Sequence, residues 1–198
     1  MRFHRFLTHS LGDLVTVAAV MAALVMSCRA SAQEGVFLSE EQAPRAVFPD
    51  ADRFVREVVP ATPELREGMR ALLGTVRLSV WEDHYVTFNA LHGTVSLGYA
   101  VIVEEIGKHR PITFIVGVQP DGKVGDVAVV AYREAYGGEV RNKRFLVQYQ
   151  GKSSTDALQP YGDIKNIAGA TLSVEAAGRA VKKALAVVRV AYAMRGGA

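Results

Sequence analysis

A pair of β-prone segments near the middle of the chain constrains the fold more than any other feature. Residues 112–118 and 124–132 are rich in β-branched and aromatic side chains, which favour strands. The sequence Pro-Asp-Gly-Lys at residues 120–123 separates them and is typical of a tight turn. The pattern therefore predicts a β-hairpin.

Further strands and helices are predicted on either side of this hairpin. Strands are expected over residues 75–81, 85–91 and 95–105, whereas 144–149 fits a short helix or a strand. Helices are expected over 39–43, 51–58 and 173–194, and a stronger one opens at Pro63 with Thr62 as its N-cap and Gly74 as its end. Strands in the middle and helices at the ends predict an α+β fold: a twisted, mainly antiparallel sheet with flanking helices and a long C-terminal helix.

The first 32 residues have the pattern of a secretory signal peptide. A basic start is followed by an apolar run at 14–26, which is too short to span a bilayer comfortably. The sequence Ala-Ser-Ala at residues 30–32 is a small-x-small cleavage site, so we expect cleavage after Ala32. The alternatives are an uncleaved anchor helix and a lipoprotein modified at Cys28, since Ser27-Cys28 loosely resembles a lipobox.

Cleavage at that site would change the charge and the chemistry of the chain. The whole chain has 23 Lys and Arg against 20 Asp and Glu, a formal net charge of +3. The expected cleavage removes three basic residues and one acidic residue, so the net charge falls to +1. It also removes Cys28, the single cysteine. The mature chain then has no thiol for a disulfide, a nucleophile or a metal, and its composition gives no support for nucleic-acid binding.

Motifs for nucleotide hydrolysis, zinc binding and serine hydrolysis are missing from the sequence. Gly151-Lys152-Ser153 resembles the end of a P-loop, but Leu146 stands where a P-loop needs its first glycine. His84, His92 and His109 lack the spacing of helical metal ligands. No nucleophile-elbow motif surrounds a serine. We therefore expect neither a catalytic side chain nor a metal site of these kinds.

Gly169-Ala170-Thr171-Leu172-Ser173 lies where the last helix begins and is the candidate site. Small residues at 168–170 allow the backbone to approach a ligand closely. The helix that follows presents free N–H groups and its positive dipole end to the loop, which suits a phosphate. The Thr171 hydroxyl could be esterified to that phosphate; the alternative is that Ser173 simply caps the helix.

The stretch Ile167-Ala168-Gly169-Ala170-Thr171-Leu172-Ser173 resembles the Ser/Thr-Gly-Ala-Thr motif of the FMN-binding domain family. That family includes the peripheral flavin subunits of the Rnf complex and of the sodium-translocating NADH:quinone oxidoreductase. In it, the last threonine of the motif carries FMN through a phosphoester bond that a separate flavin transferase installs. The matching residue is Thr171.

The resemblance extends over roughly residues 95–190, most of the mature chain. Residues 112–138 resemble the family's strand, turn and strand that end in an acidic residue and a glycine-rich turn; Glu134 and Gly137 stand at that end. The cofactor-binding positions that the resemblance implies are Thr171, Gly169, Ala170, Leu172, Ser173 and Glu134. Glu134 either hydrogen-bonds near the cofactor or caps a turn.

Two positions depart from the family pattern. Ala168 stands where the family usually has Ser or Thr, and Lys165 stands where it often has an acidic residue, six positions before the acceptor. Asp163 is two positions away from that place. The resemblance implies that both positions help the transferase to recognise its substrate. Lys165 could instead neutralise the flavin phosphate.

The function that the resemblance implies is an exported flavoprotein that carries electrons between a membrane donor and an extracytoplasmic acceptor. FMN would supply the redox chemistry and the protein would supply binding and orientation, with no catalytic residue of its own. A covalent tether agrees with export, because free FMN is scarce outside the cytoplasm. The expected partners are a flavin transferase and a membrane-bound redox partner, and the expected location is periplasmic or otherwise extracytoplasmic, with membrane association as an option.

The sequence is also compatible with other functions. One is an FMN-binding sensory or accessory module without electron flux. A complete flavin reductase would need a nicotinamide site, yet no Gly-x-Gly-x-x-Gly follows a predicted strand. A scaffold domain without flavin would be colourless.

The predicted organisation is a signal peptide over 1–32, an N-terminal helical segment over 33–74 and an FMN-binding domain over 75–198. The basic face of the last helix is either a docking patch or a solvated surface; its residues are Arg179, Lys182 and Lys183. The aromatic candidates for contact with the flavin are Trp81, Tyr85, Tyr99, Tyr132, Tyr136 and Tyr161.

Overall fold

Six strands and a long C-terminal helix dominate the part of the chain that the computed structural model describes, residues 35–193. In chain order the elements are β1 (Gly35–Val36), α1 (Ala43–Val47), β2 (Arg53–Pro60), α2 (Pro63–Leu73), β3 (His84–His92), β4 (Val95–Ile106), β5 (Pro111–Val118), β6 (Val124–Tyr132), α3 (Lys143–Leu146) and α4 (Thr171–Ala193). Short 3₁₀ turns at Gly138–Arg141 and Val147–Tyr149 flank α3. The signal peptide expected over residues 1–32 lies outside the described residues.

The strands form one curled antiparallel sheet in the order β1-β6-β5-β4-β3-β2. The predicted hairpin is present as β5 and β6, in which Val116 pairs with Val127. The sheet, its flanking helices and the long α4 confirm the α+β prediction.

Side chains alternate between the two faces along each strand, and both faces carry apolar residues. Other elements therefore pack on both faces of the sheet. Phe114 and Val116 of β5 point to the face on which α2 and α4 pack. Ile115, between them, points to the opposite face, where α1 and the residues after it form a smaller cluster. The larger core therefore lies between the sheet and α4, and it fixes where α4 begins.

The first 40 described residues differ most from the sequence prediction. The helix predicted over 51–58 is wrong, because residues Arg53–Pro60 form the edge strand β2, paired along its length with β3. Backbone pairing with a neighbouring strand outweighs the weak local helix propensity of this segment. Pro60, which cannot donate to a ladder, lies at the end of that edge strand. The segment 33–74 is thus not purely helical, since it supplies β1 and β2 to the sheet.

The strand predicted over 75–81 is also wrong, since this segment has no strand partner and runs irregularly from α2 to β3. Its alternation arises because Val76 and Leu78 pack against the core. The guanidinium of Arg66 donates to the carbonyls of Ser79 and Glu82 and so satisfies backbone groups that a sheet would otherwise pair.

The remaining helices are close to their predicted places. Thr62 Oγ1 accepts a hydrogen bond from the backbone N–H of Leu65 and caps α2, which ends before Gly74. The helix predicted over 39–43 begins later, at Ala43, with Pro44 in its first turn. The undecided segment 144–149 is helical, and α4 begins at Thr171 instead of residue 173. Among the described residues, no helix has the length and apolar character needed to cross a membrane.

Candidate functional site

The loop before α4 delivers Thr171 to the surface from two buried anchors. Ile164 and Ala170 are 1% and 3% exposed, so each end of the loop is fixed in the core. Between them, Gly169 has a φ of +80°, a left-handed conformation that glycine adopts without strain. The backbone N–H of Ala170 donates to the carbonyl of Ile167 over 3.0 Å and closes the turn. The next residue, Thr171, is the first residue of the helix.

The helix begins without a side-chain cap. Val174 donates to the carbonyl of Ala170 over 3.0 Å, but the backbone N–H groups of Thr171, Leu172 and Ser173 find no acceptor among the described residues. The alternative that Ser173 caps the helix is wrong. Its side chain is 4% exposed and its Oγ lies 2.9 Å from the hydroxyl of Tyr132 on β6. Three N–H groups at the positive end of a 23-residue helix are therefore available to an anion.

The Thr171 hydroxyl is held from the loop side. Its Oγ1 accepts a hydrogen bond from Nδ2 of Asn166 over 2.8 Å, and the same nitrogen donates to the Tyr161 hydroxyl over 2.6 Å. Asn166 was not among the predicted site residues. The contact is made across an irregular loop, so no helical or strand spacing could have indicated it.

A cleft of about 430 Å³ opens at this helix end. All six positions that the resemblance implied line it: Thr171, Gly169, Ala170, Leu172, Ser173 and Glu134. Lys108, His109, Ala135 and Tyr136 complete the lining. Residues far apart in the sequence thus meet because the β4–β5 turn, the end of β6 and the start of α4 lie at the same end of the sheet.

Glu134 caps the β4–β5 turn at the edge of this cleft. Its Oε1 accepts hydrogen bonds from the backbone N–H groups of His109 and Arg110, the latter over 2.9 Å. Desolvation raises the pKa of Glu134, but these hydrogen bonds outweigh it and the net pKa is lowered. Of the two roles left open for Glu134, the structure shows the turn cap, with the carboxylate ionised at neutral pH.

Gly137 allows the close packing beneath the cleft. It has a φ of +84°, and a Cβ at this position would lie 2.8 Å from Ser173 Oγ and 2.9 Å from the Tyr132 hydroxyl. Burial raises the pKa of that tyrosine, so it remains a neutral hydrogen-bonding group. The glycine-rich turn after Glu134 is therefore needed to bring β6 against the start of α4.

The aromatic candidates fall into separate groups. Tyr136 and Tyr161 are 85% and 80% exposed and lie beside the Thr171 loop. Tyr85 and Tyr132 are buried, and Tyr99 stacks on Tyr192 of α4 with ring centroids 3.7 Å apart. Trp81 is exposed in the turn before β3.

A second cavity, of about 560 Å³ and lined by residues that include Tyr161, Arg77 and Lys182, lies further along α4.

The basic face of α4 is not a docking patch as a whole. Lys183 is 2% exposed and forms ion pairs with Glu82 and Glu105. Arg179 pairs with Glu105 over 2.8 Å. Of the three predicted residues, only Lys182 makes no ion pair with a described residue. The charges of Lys183 and Arg179 are therefore taken up by ion pairs within the protein.

The two positions that depart from the family pattern are both exposed. Ala168 has no polar side chain, and Lys165 is fixed through its backbone N–H, which donates to Oε1 of Gln148 over 2.8 Å. Asp163 pairs with Lys152 over 3.0 Å and accepts from the backbone of Gln159. Its carboxylate therefore stabilises the loop.

The residues around the cleft fit the two ends of an FMN molecule. The free N–H groups at the start of α4 suit a phosphate, and the open space around Gly169 leaves room for it. The exposed side chains of Tyr136 and Leu172 offer apolar surface for a flat ring system.

Comparison with known proteins gives the same assignment. Residues 107–186 match the FMN-binding domain family. The chain is also 31% identical, over 106 residues, to one subunit of the proton-translocating ferredoxin:NAD(+) oxidoreductase complex of Clostridium ljungdahlii. The matched region covers 50% of this chain and 57% of that relative's length. The family match supports FMN as the cofactor of residues 107–186, and the chain spans less than two thirds of the relative's length.

Proposed function

We propose that this protein carries FMN in phosphoester linkage to Thr171 and transfers electrons between a membrane donor and an extracytoplasmic acceptor. The observation that carries the proposal is the position of Thr171. Its hydroxyl lies in a cleft at an uncapped helix N-terminus, beside three backbone N–H groups without acceptors among the described residues. The same arrangement that binds a free phosphate would hold the phosphate of an esterified flavin.

Attachment is the transfer of the whole FMN group, through its phosphorus, from an activated flavin phosphate to Thr171 by a separate flavin transferase. A bond forms between Thr171 Oγ1 and the FMN phosphorus, and the phosphoanhydride bond to the leaving group breaks. The hydroxyl proton is lost to a base, and the leaving group departs with the electron pair of the broken bond. Relative to free FMN and protein, the product lacks one water, and no electron is exchanged in this step.

Electron transport is proposed from the cofactor and from the relative. FMN supplies the redox chemistry when bound, so the side chains of this chain need only bind and orient it. The relative in Clostridium ljungdahlii is named as a subunit of an oxidoreductase complex that translocates protons. We propose that this chain likewise works with a membrane-bound redox partner, exported by the N-terminal signal peptide.

The test is the intact mass of the denatured mature protein, produced in an exporting host with and without a flavin transferase. We expect an added mass of one FMN less one water in the wild type and none in Thr171→Ala. Thr155→Ala, which removes an exposed threonine hydroxyl in another loop, is the matched control and should keep the added mass. An unmodified wild type, or a fully modified Thr171→Ala, would show that Thr171 is not a flavin carrier.

Electron flux needs its own measurement. The flavinylated protein should be reduced by membranes of the source organism and reoxidised by an extracytoplasmic fraction, and the unflavinylated Thr171→Ala protein should show neither reaction. Covalent flavin that no membrane donor reduces would instead support a sensory or accessory module.

A further inference from the structure

Asn166 donates a hydrogen bond to the Thr171 oxygen that is the proposed point of flavin attachment. We propose that it is a positioning residue for the attachment step: its amide N–H holds Thr171 Oγ1 on the loop side and leaves the cleft side of that oxygen open. This inference rests on the proposed function, because it concerns the reactivity of the same threonine.

The contact itself is the first argument. Nδ2 of Asn166 lies 2.8 Å from Thr171 Oγ1 and 2.6 Å from the Tyr161 hydroxyl, so a single amide group binds both hydroxyl oxygens. Thr171 lines the cleft, whereas Asn166 does not. The donated hydrogen bond occupies one lone pair and restricts rotation of the side chain. The hydroxyl proton and the remaining lone pair stay available for reaction.

The rigidity of the supporting loop is the second argument. Asp163 pairs with Lys152 and accepts from the backbone of Gln159, the N–H of Ile164 donates to the carbonyl of Gln159, and the N–H of Lys165 donates to Gln148. Hydrogen bonds thus hold the three residues immediately before Asn166 in place. An amide on a fixed backbone can hold a hydroxyl in one orientation, which is the requirement for a positioning group.

Local strain points to the same group. Tyr161 has a φ of +63°, a left-handed conformation that is unfavourable for a bulky residue. Its hydroxyl nevertheless meets Asn166, and its ring is exposed. In addition, Oδ1 of Asn166 is buried and has no hydrogen-bond partner among the described residues. Strained residues cluster at functional sites, and an unpaired buried polar atom is rare enough in a folded protein to need an explanation.

The experiment measures the initial rate of flavin attachment to the full mature chain by intact mass, with a flavin transferase and an activated flavin phosphate. Asn166→Ala removes the hydrogen bond, and we expect the rate to fall roughly tenfold or more because Thr171 is no longer held. Asn142→Ala is the matched control. It removes an asparagine whose side chain caps α3 away from the cleft, and it should keep the wild-type rate.

A second variant separates hydrogen-bond donation from packing. Asn166→Asp keeps the size of the side chain but has no donor when ionised. We expect it to be as slow as Asn166→Ala at neutral pH. Relative to the wild type at the same pH, its rate should recover as the pH falls, because a protonated carboxyl can donate. It also carries the test should Asn166→Ala fail to fold. A wild-type rate in Asn166→Asp at neutral pH would show that the amide is a spacer and would overturn the proposal.

A readout without flavin tests the hydrogen bond directly. In the ¹⁵N–¹H spectrum of the apoprotein, the side-chain amide of Asn166 is identified by its loss in Asn166→Ala. We expect this signal to shift in Thr171→Val, which keeps the shape of Thr171 but removes the acceptor. An unchanged signal would refute the contact. Two results of the attachment experiment separate the two proposals. A wild type that takes up no flavin at all would refute the proposed function. Equal rates of attachment at Thr171 in the wild type and in Asn166→Ala would refute only the role of Asn166.

Discussion

Lys183 carries a positive charge into the core between α4 and the sheet. It is 2% exposed and lies between Glu82 and Glu105, while Arg179 pairs with Glu105 from the other side. Oε1 of Glu105 lies 2.5 Å from Nζ of Lys183 without the angles of a hydrogen bond, so their contact is an ion pair. Lys183 and Arg179 thus balance Glu82 and Glu105; Lys183 and Glu105 are almost fully buried, whereas Arg179 is partly exposed and also lies 4.0 Å from Glu175.

The substitution Lys183→Met removes one charge from this balance and keeps the length of the side chain. Glu105 then keeps Arg179 as its partner, whereas Glu82 has no ion pair left with a described residue. Removing one partner of a buried ion pair typically costs about 3–5 kcal/mol of unfolding free energy. In a domain of this size each kcal/mol corresponds to about 2–4 °C in Tm, so we expect a decrease of about 6–20 °C.

The assay is reversible urea unfolding together with thermal unfolding at neutral pH, both monitored by circular dichroism. Lys182→Met is the matched control: the neighbouring lysine on the same helix makes no ion pair with a described residue, and we expect a change of less than about 1 kcal/mol. The double variant Glu82→Gln/Lys183→Met restores neutrality and should recover part of the loss. Equal stabilities of the Lys183 and Lys182 variants would refute the reasoning, because the buried network would then contribute nothing.

Two further predictions concern the loop before α4. Gly178→Ala should lower the unfolding free energy by about 1–3 kcal/mol, although alanine is the better helix former, because its Cβ would clash with the backbone carbonyl oxygen of Leu158; a variant more stable than the wild type in urea unfolding would contradict this packing. At Asp163, desolvation raises the carboxyl pKa, but the hydrogen bonds from Lys152 and the Gln159 backbone, with the charge of Lys152, outweigh it and the net pKa is lowered. The stabilisation is therefore present above the unfolded-state pKa and is lost as pH falls through the folded-state pKa. Unfolding free energy measured from pH 6 to pH 3 should fall less steeply in Asp163→Asn than in the wild type, and parallel curves would exclude the linkage.

Local signals were sufficient for the elements whose pattern and tertiary surroundings agree. The hairpin of β5 and β6 was predicted because strand-forming residues flank a turn sequence, and α2 because Thr62, Pro63 and Gly74 mark its ends. The prediction failed for β2 and for residues 75–81. There, the state of the backbone depends on whether a neighbouring strand is present to accept its hydrogen bonds, and a local pattern carries no information about that neighbour.

Residue type and short-range spacing were enough to predict the small residues before Thr171, the helix after it and the α+β class, whereas the acceptor role proposed for Thr171 came from the family resemblance. Only the tertiary structure brought Glu134 and Lys108 to the cleft with Thr171, since three chain segments meet at one end of the sheet. Only the tertiary structure placed Asn166 on the Thr171 hydroxyl and buried Lys183 between two carboxylates. Contacts across loops and between packed elements follow from the arrangement of the whole domain, and no periodicity in the chain records them.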